Sequence, residues 1–307
     1  MFTESKALFL YSVSPVHLGA GTAVGGLIDN PIQRERHTNH PIFAGSGIKG
    51  ALRHRFSGEW KKEDLAVVFG PESSGSDHAG AVSFGDAQLV IFPVRSLKNG
   101  FIYATCPTAL ARAKRQLEIS GITVEWTIPE VSGDEALICN LDLRTDEVIS
   151  LEVFQFTAKE NEMTKKIAEW LAANGVPSNE SNQYFSEKLR SDLVLLSDTD
   201  FGYFVEHATS VEPHVRIDDK TGTAVPGGLF YSENLPPESL LLTTLMASDS
   251  RKEGSSMKKA AEVVNKLTKE IDNQMVQIGG DSTTGRGQIL FHSVEVEVEV
   301  EAAAGEK

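Results

Sequence analysis

A chain of 307 residues with a 40% hydrophobic share has material for one large domain or two small ones, with ample core. Its formal net charge of −14 disfavours a uniformly basic nucleic-acid binder, and no apolar run approaches the roughly 18 residues of a membrane span. The two cysteines, Cys106 and Cys139, stand in unrelated contexts, which argues against a disulfide framework or a structural zinc site. The opening Met1–Phe9 has no basic stretch followed by an apolar core and cleavage site, so the expectation is a cytoplasmic protein without a membrane partner.

The charge is unevenly spread. Residues 31–62 carry seven Lys and Arg (Arg34, Arg36, Lys49, Arg53, Arg55, Lys61, Lys62) against Glu35 and Glu59. Residues 130–162 carry nine Asp and Glu against Arg144 and Lys159. Such a chain can bind a polyanion on one face and repel it elsewhere, while for any single cluster a solvated face is the better reading.

In chain order, Ala7–Val16 is rich in β-branched and aromatic residues and is ended by Pro15 and Gly19, which predicts a strand. Residues 17–45 form a glycine-punctuated loop, of a length that in a compact domain is usually functional or disordered. Gly47–Phe56 is predicted as a helix with Ser46 as a possible N-cap. Residues 70–79 read as a flexible connection, Ala81–Val94 as one or two strands, and Pro107 to about Ile119 as a helix opened by its proline. Ala136–Phe156 again reads as strand, and residues 159–174 as a helix stopped by Gly175. Val205–Tyr231 is predicted as a long β-hairpin turning near Asp218–Gly222. In Ser256–Met275, the residues Ala260, Ala261, Val264, Leu267, Ile271 and Met275 recur at helical spacing. Ile289–Val300 closes as a strand, and Val294–Glu301 alternates Val with Glu. Strand–helix–strand, an insertion-rich middle and a final helix–strand fit an α+β, ferredoxin-like core.

Glycine-bearing segments at the two ends carry the chemistry. The first runs His17-Leu18-Gly19-Ala20-Gly21, through Ile28-Asp29-Asn30-Pro31-Ile32-Gln33-Arg34, to Gly45-Ser46-Gly47-Ile48-Lys49-Gly50-Ala51-Leu52-Arg53. A helix opening at Ser46-Gly47 offers unpaired N–H groups and a dipole to an anion, and Lys49 and Arg53 share one helix face. A capped helix with two solvated cations explains the same residues. The second segment is Ile278-Gly279-Gly280-Asp281-Ser282-Thr283-Thr284-Gly285-Arg286-Gly287-Gln288. Its glycine spacing suggests a P-loop, but Arg286 and Gly287 stand where Lys and Ser or Thr are required, and a strand follows it instead of a helix. An NTPase is therefore rejected. The pattern around Gly19 and Gly21 likewise misses the dinucleotide fingerprint.

Together these segments resemble the RAMP superfamily of CRISPR systems, whose signature is a C-terminal glycine-rich loop like Ile278–Gln288. The combination of His17-x-Gly-x-Gly, Ile28–Arg34 and Gly45–Arg53 is similar to the branch that supplies the backbone subunit of the type III-B (Cmr) effector complex. The likeness covers about the first 60 and the last 35 residues, and is consistent with Gly80–Asp86 and Glu233–Pro237. It implies one domain over 1–307, with an RRM-like palm at about 1–120 and 240–300 and insertions at about 121–239, including a β-hairpin thumb within Val211–Gly228. It also implies that copies stack along a guide RNA with other subunits, thumbs intruding so that one nucleotide per subunit is flipped from the guide–target duplex. The stacking aromatics of an ordinary RRM are not visible here, so sequence readout is expected to be delegated to base pairing.

The resemblance further places Ser46, Gly47, Lys49 and Arg53 on the guide backbone, with Arg34 and the loop residues Gly279, Gly280, Thr283, Gly285 and Arg286. It makes Asp29 the residue that cleaves target RNA with a divalent metal, Mg or Mn, and offers His17 and Glu233 as further catalytic candidates. Without the resemblance, Asp29-Asn30-Pro31 is simply a turn, His17 a packed loop residue, and Glu233 a hydrogen-bonding partner of its own turn. Two other functions stay open: a filament subunit that only holds RNA, and a metal-independent endonuclease that processes guide RNA.

Overall fold

The computed structural model describes residues 1–22, 26–72, 78–177, 179–252 and 257–294. Strand β1 (Glu4–Ser12) is followed by β2 (Ile42–Phe43), helices α1 (Gly45–Phe56) and α2 (Lys62–Phe69), and strands β3 (Val82–Phe84), β4 (Ala87–Arg95) and β5 (Phe101–Thr105). The middle holds α3 (Pro107–Ile119), β6 (Glu135–Ile138), β7 (Val148–Leu151), β8 (Phe154–Glu160), α4 (Glu162–Asn174), α5 (Gln183–Asp192), β9 (Leu193–Leu195) and α6 (Asp198–His207). The last part holds β10 (Ser210–Ile217), β11 (Ala224–Asn234), β12 (Leu240–Ala247), α7 (Ala260–Ile271), β13 (Met275–Gln277) and β14 (Gln288–Ser293).

One large sheet organises the molecule, in the order β13-β14-β1-β12-β4-β5-β9-β6-β8-β7, with β2 on β4 and β3 on β12. Among its described pairings only β5 with β9 and β6 with β8 are parallel. The chain is therefore a mixed α/β fold around a mostly antiparallel sheet. Its centre is dry: every residue of β1 from Ala7 to Ser12, and of β12 from Leu240 to Leu245, is buried. Strands covered on both faces read as continuous apolar runs, as Ala-Leu-Phe-Leu-Tyr and Leu-Leu-Leu do here. Cutting Leu242 back to Ala would cost about 2–5 kcal/mol. Among the described residues no helix is long and apolar enough to cross a membrane.

Strands β10 and β11 stand outside this sheet as a hairpin of their own. Ser210 pairs with Asn234 at its root and Ile217 with Ala224 near its tip, with an irregularity between Val215 and Ile217. Asp218 shapes the turn by accepting the N–H groups of Lys220 and Thr221, both at 2.9 Å. Those donors hold its carboxyl below the usual range. Val211, Val215, Ile217, Leu229 and Phe230 remain exposed along the arm.

Several sequence expectations are corrected. The arm does not begin at Val205, because α6 continues to His207. Ser197 caps that helix by accepting Asp200 N–H, and Phe201, Phe204 and Val205 bury one face at helical spacing. Ser46 is not an N-cap but lies inside α1, which starts at Gly45, two residues earlier than expected, behind Ala44 and without a side-chain cap from it. Gly45 N–H instead meets Asp86 Oδ1 at 2.8 Å. A side chain at Gly45 would strike the Phe84 carbonyl oxygen at 2.1 Å, so glycine lets α1 seat against β3. Ala136–Phe156 is three strands instead of one. The helix expected over Ser256–Met275 is α7, and Met275 opens β13. Residues 295–301 of the Val/Glu alternation lie outside the described residues, as do 23–25 and 73–77.

Candidate active site

Asp29 lies on a loop segment that makes a short, strand-like bridge to the root of the arm. The N–H groups of Asp29 and Asn30 donate to the Tyr231 carbonyl at 3.1 and 3.0 Å. Tyr231 N–H returns a bond to Asp29 Oδ2 at 2.8 Å, and Glu233 N–H donates to the Asn30 carbonyl at 2.9 Å. Asn30 and Ser232 form a parallel bridge. Pro31 has no N–H to continue the pairing, and Ile32 N–H goes to the Glu233 side chain instead. Asp29 itself is exposed, with one carboxylate oxygen held by Tyr231.

Glu233 is buried and does not present its carboxylate to solvent. At 3% exposure, Oε1 accepts Arg34 Nη2 at 2.5 Å and Thr209 Oγ1 at 2.8 Å, and Oε2 accepts Ile32 N–H at 3.0 Å. Arg34 also donates through Nη1 to the carbonyls of Asn39 and Val205, at 2.7 and 2.9 Å. The guanidinium expected on RNA thus lies inside the fold, with both terminal nitrogens engaged.

His17 joins three segments. Its Nδ1 lies 2.7 Å from the Glu233 carbonyl oxygen. A carbonyl only accepts, so Nδ1 carries the proton, and in the neutral ring Nε2 is the acceptor. A Cβ on Gly19 would come within 2.9 Å of that Nε2, so glycine there leaves the nitrogen uncovered. The His17 carbonyl accepts Gly280 N–H at 2.9 Å. Gly279 passes so close that a side chain would meet the same carbonyl at 2.4 Å, and its φ of 86° suits glycine. The C-terminal loop is therefore packed against the His17 segment.

In that loop Asp281 to Gly285 are exposed, Thr283 and Gly285 among them. Arg286 forms an ion pair with Glu212 of β10, tying loop to arm. On α1, Ser46 is exposed and Gly47 lies over Leu18. Lys49 Nζ donates to the Val82 carbonyl at 2.8 Å and Arg53 Nη1 to the Gly70 carbonyl at 2.9 Å. Burial, and then the neighbouring Arg53, holds the Lys49 ammonium below its ordinary range. Asp86 already occupies the first N–H of α1 with a carboxylate, so part of the anion site expected there is filled from within.

The structure thus brings Asp29, His17, Glu233, Arg34 and Gly279–Gly280 together at the arm's root. Lys49 and Arg53, on α1, reach instead to the carbonyls of Val82 and Gly70. Tyr231 and Thr209 complete these arrangements without any signal in the sequence, and Asp86 does so from the Gly80–Asp86 segment. Among the described residues no group of three or more His, Cys, Asp or Glu could hold a metal ion. Of the residues gathered at the arm's root, Asp29 offers an exposed carboxylate that could serve a divalent cation as a ligand.

A glycine-rich C-terminal loop packed on an N-terminal His-x-Gly segment, beside a projecting hairpin, defines a class. The RAMP superfamily model matches residues 9–290, and the chain belongs to that family. Within it, the chain is 33% identical, over 291 residues making up 94% of its length and 95% of the relative's, to the CRISPR system Cmr endoribonuclease Cmr4 of Pyrococcus furiosus. The crystal structure of oligomeric Cmr4 from the same organism matches with a TM-score of 0.74 at 26% identity, covering 96% of this chain and 100% of that one. A chain of the cryo-EM structure of the Type III-B Cmr-beta bound to cognate target RNA matches with a TM-score of 0.72, covering 95% and 98%. At 18% identity that last likeness is one of fold.

Proposed function

We propose that this chain is a backbone subunit of an RNA-guided effector, which assembles with further copies of itself and with other subunits along a guide RNA and cuts complementary target RNA. The observation that carries this is the seat of Asp29, an exposed carboxylate fixed by Tyr231 N–H at the root of a projecting hairpin. Membership of the RAMP superfamily and the likeness to an endoribonuclease support it. We read β1, α1, β4, β12, α7 and β14 as a ferredoxin-like palm, since their strands lie in the order β14-β1-β12-β4, each antiparallel to its neighbour. The β10–β11 arm is the thumb, residues 121–209 are insertions, and the whole forms one domain working in the cytoplasm.

In this reading the 2′-OH of the target attacks the adjacent phosphorus while the bond from phosphorus to the 5′-oxygen breaks. The products are a 2′,3′-cyclic phosphate and a 5′-OH, the leaving 5′-oxygen taking its proton from water. A nucleotide turned out of the duplex by the thumb allows that in-line geometry. With Nδ1–H held by the Glu233 carbonyl, His17 Nε2 is the acceptor for the 2′-OH proton. Asp29 orients the reacting sugar. A divalent cation bound to Asp29 would neutralise charge developing on the phosphate. Lys49, Arg53, Arg286 and the loop residues Gly279, Gly280, Thr283 and Gly285 then line the guide backbone, with Ser46 and Gly47 at the start of α1.

The test is cleavage of 5′-labelled complementary RNA by the assembled complex with Mg²⁺ or Mn²⁺, wild type against Asp29→Ala. An evenly spaced ladder lost in the variant supports the proposal. The same ladder in both moves the catalyst away from Asp29. No ladder in either, with target binding intact, leaves a subunit that only holds RNA.

A further inference from the structure

We propose that Arg34 and Thr209 are positioning residues for cleavage, acting through Glu233 to set the register of the Asp29 segment on the arm. This rests on the reading of Asp29 as the cleaving residue, and it gives Arg34 and Glu233 roles other than RNA contact and catalysis.

The Asp29 segment is held on β11 by few backbone bonds: two N–H groups on the Tyr231 carbonyl and the return from Glu233 N–H to the Asn30 carbonyl. A strand so short is poorly specified, and a slip of one residue turns every side chain to the opposite face. Asp29 would then point away from the site. Glu233 prevents the slip from β11, the strand that the segment pairs with. Its carboxylate takes Ile32 N–H, three residues beyond Asp29, and Arg34, five beyond. Arg34 is anchored in turn to Asn39 of its own loop and to the Val205 carbonyl in the last turn of α6. A cation is well placed at that end of a helix. Thr209, between α6 and β10, supplies the third donor to Glu233. One buried carboxylate therefore fastens the Asp29 segment, the end of α6 and both arm strands to one another. Neither Arg34 nor Thr209 need touch RNA for this.

The experiment uses the assembled complex with guide RNA under single-turnover, target-saturating conditions. It compares Thr209→Val, Arg34→Met and Arg34→Lys with wild type and Asp29→Ala, and checks each variant's assembly and melting. Thr209→Val preserves shape and removes one donor. It is expected to slow cleavage about tenfold, the effect of losing a hydrogen bond to a charged group. Arg34→Met is expected to slow it further, and Arg34→Lys to recover part of the loss. Target affinity, and the salt dependence of guide binding, should stay at wild-type values for all three.

A flattening of the salt slope by about 0.7 in Arg34→Met would make Arg34 a phosphate contact and overturn the proposal. Wild-type cleavage by Thr209→Val and Arg34→Met, with Asp29→Ala inactive, would overturn it alone. Full cleavage by Asp29→Ala would remove the reading of Asp29 and the positioning role with it. Should Arg34→Met fail to assemble, Thr209→Val and Arg34→Lys decide the matter.

Discussion

Asp29 and Tyr231, 202 positions apart in the chain, are joined in both directions: Tyr231 N–H donates to the Asp29 carboxylate and the Tyr231 carbonyl accepts Asp29 N–H. Three of these four groups are backbone. The carboxylate is thus aimed by the arm's own strand, and a movement of the arm's root is a movement of Asp29. Asp29→Asn keeps an oxygen for Tyr231 N–H while removing the charge. It should leave guide and target binding unchanged and lower the cleavage rate by about a hundredfold or more. Retained cleavage in Asp29→Asn would mean that the residue serves only to fasten the loop.

His17 Nε2 owes its exposure to Gly19, because a Cβ there would stand 2.9 Å from it. Gly19→Ala is expected to slow cleavage about as much as His17→Ala, and the double variant no more than either alone, since both remove one group. Additive losses would show that Gly19 and His17 act separately. The fold should be indifferent to the change, which equal melting temperatures would check.

The ion pair between Arg286 and Glu212 joins the glycine-rich loop to the arm. A phosphate seated at Arg286 must compete with that carboxylate. Glu212→Gln releases the cation, so guide RNA should bind several-fold more tightly, with a log-affinity against log-salt slope steeper by about 0.7. Weaker binding by Glu212→Gln would show that the pair is needed to hold loop or arm in its binding position. Titrations at two salt concentrations distinguish these outcomes.

The parts of this architecture that are local in sequence were legible there. Pro107 opens α3 and Ile119 closes it, as expected, and the glycine loop, His17 and Asp29 announce themselves as motifs. Helix α6 was hidden because Phe201, Phe204 and Val205 suit a strand as well, although Ser197 and Asp200 are spaced for a cap. What could not be read is burial and pairing over long range. A sequence shows that Arg34 is charged, but not that Glu233 lies 199 positions away to receive it. Nor does any residue type mark Tyr231, whose contribution is its backbone. By sequence the first N–H of α1 is open to phosphate, whereas in the fold Asp86 lies against it.

Glu238 follows the Pro236-Pro237 turn that leads from the arm into β12, and its N–H donates to the Ser12 carbonyl at 2.8 Å. Its Oε2 is buried without a hydrogen-bond partner, and burial pushes its carboxyl from an ordinary 4.5 up to about 8. The folded state thus holds this proton more tightly than the unfolded chain does. Stability from this group is fully present below about pH 4.5 and is lost as pH rises toward 8. The loss amounts to a few kcal/mol at most, reduced by the solvent that still reaches the side chain. Glu238→Gln removes the titration while keeping the shape. Its melting temperature should exceed that of wild type by an amount that grows between about pH 5 and pH 8 and then levels off. Melting curves of both proteins across that range are the check, and a difference independent of pH would show that the Glu238 carboxyl titrates as it does in water.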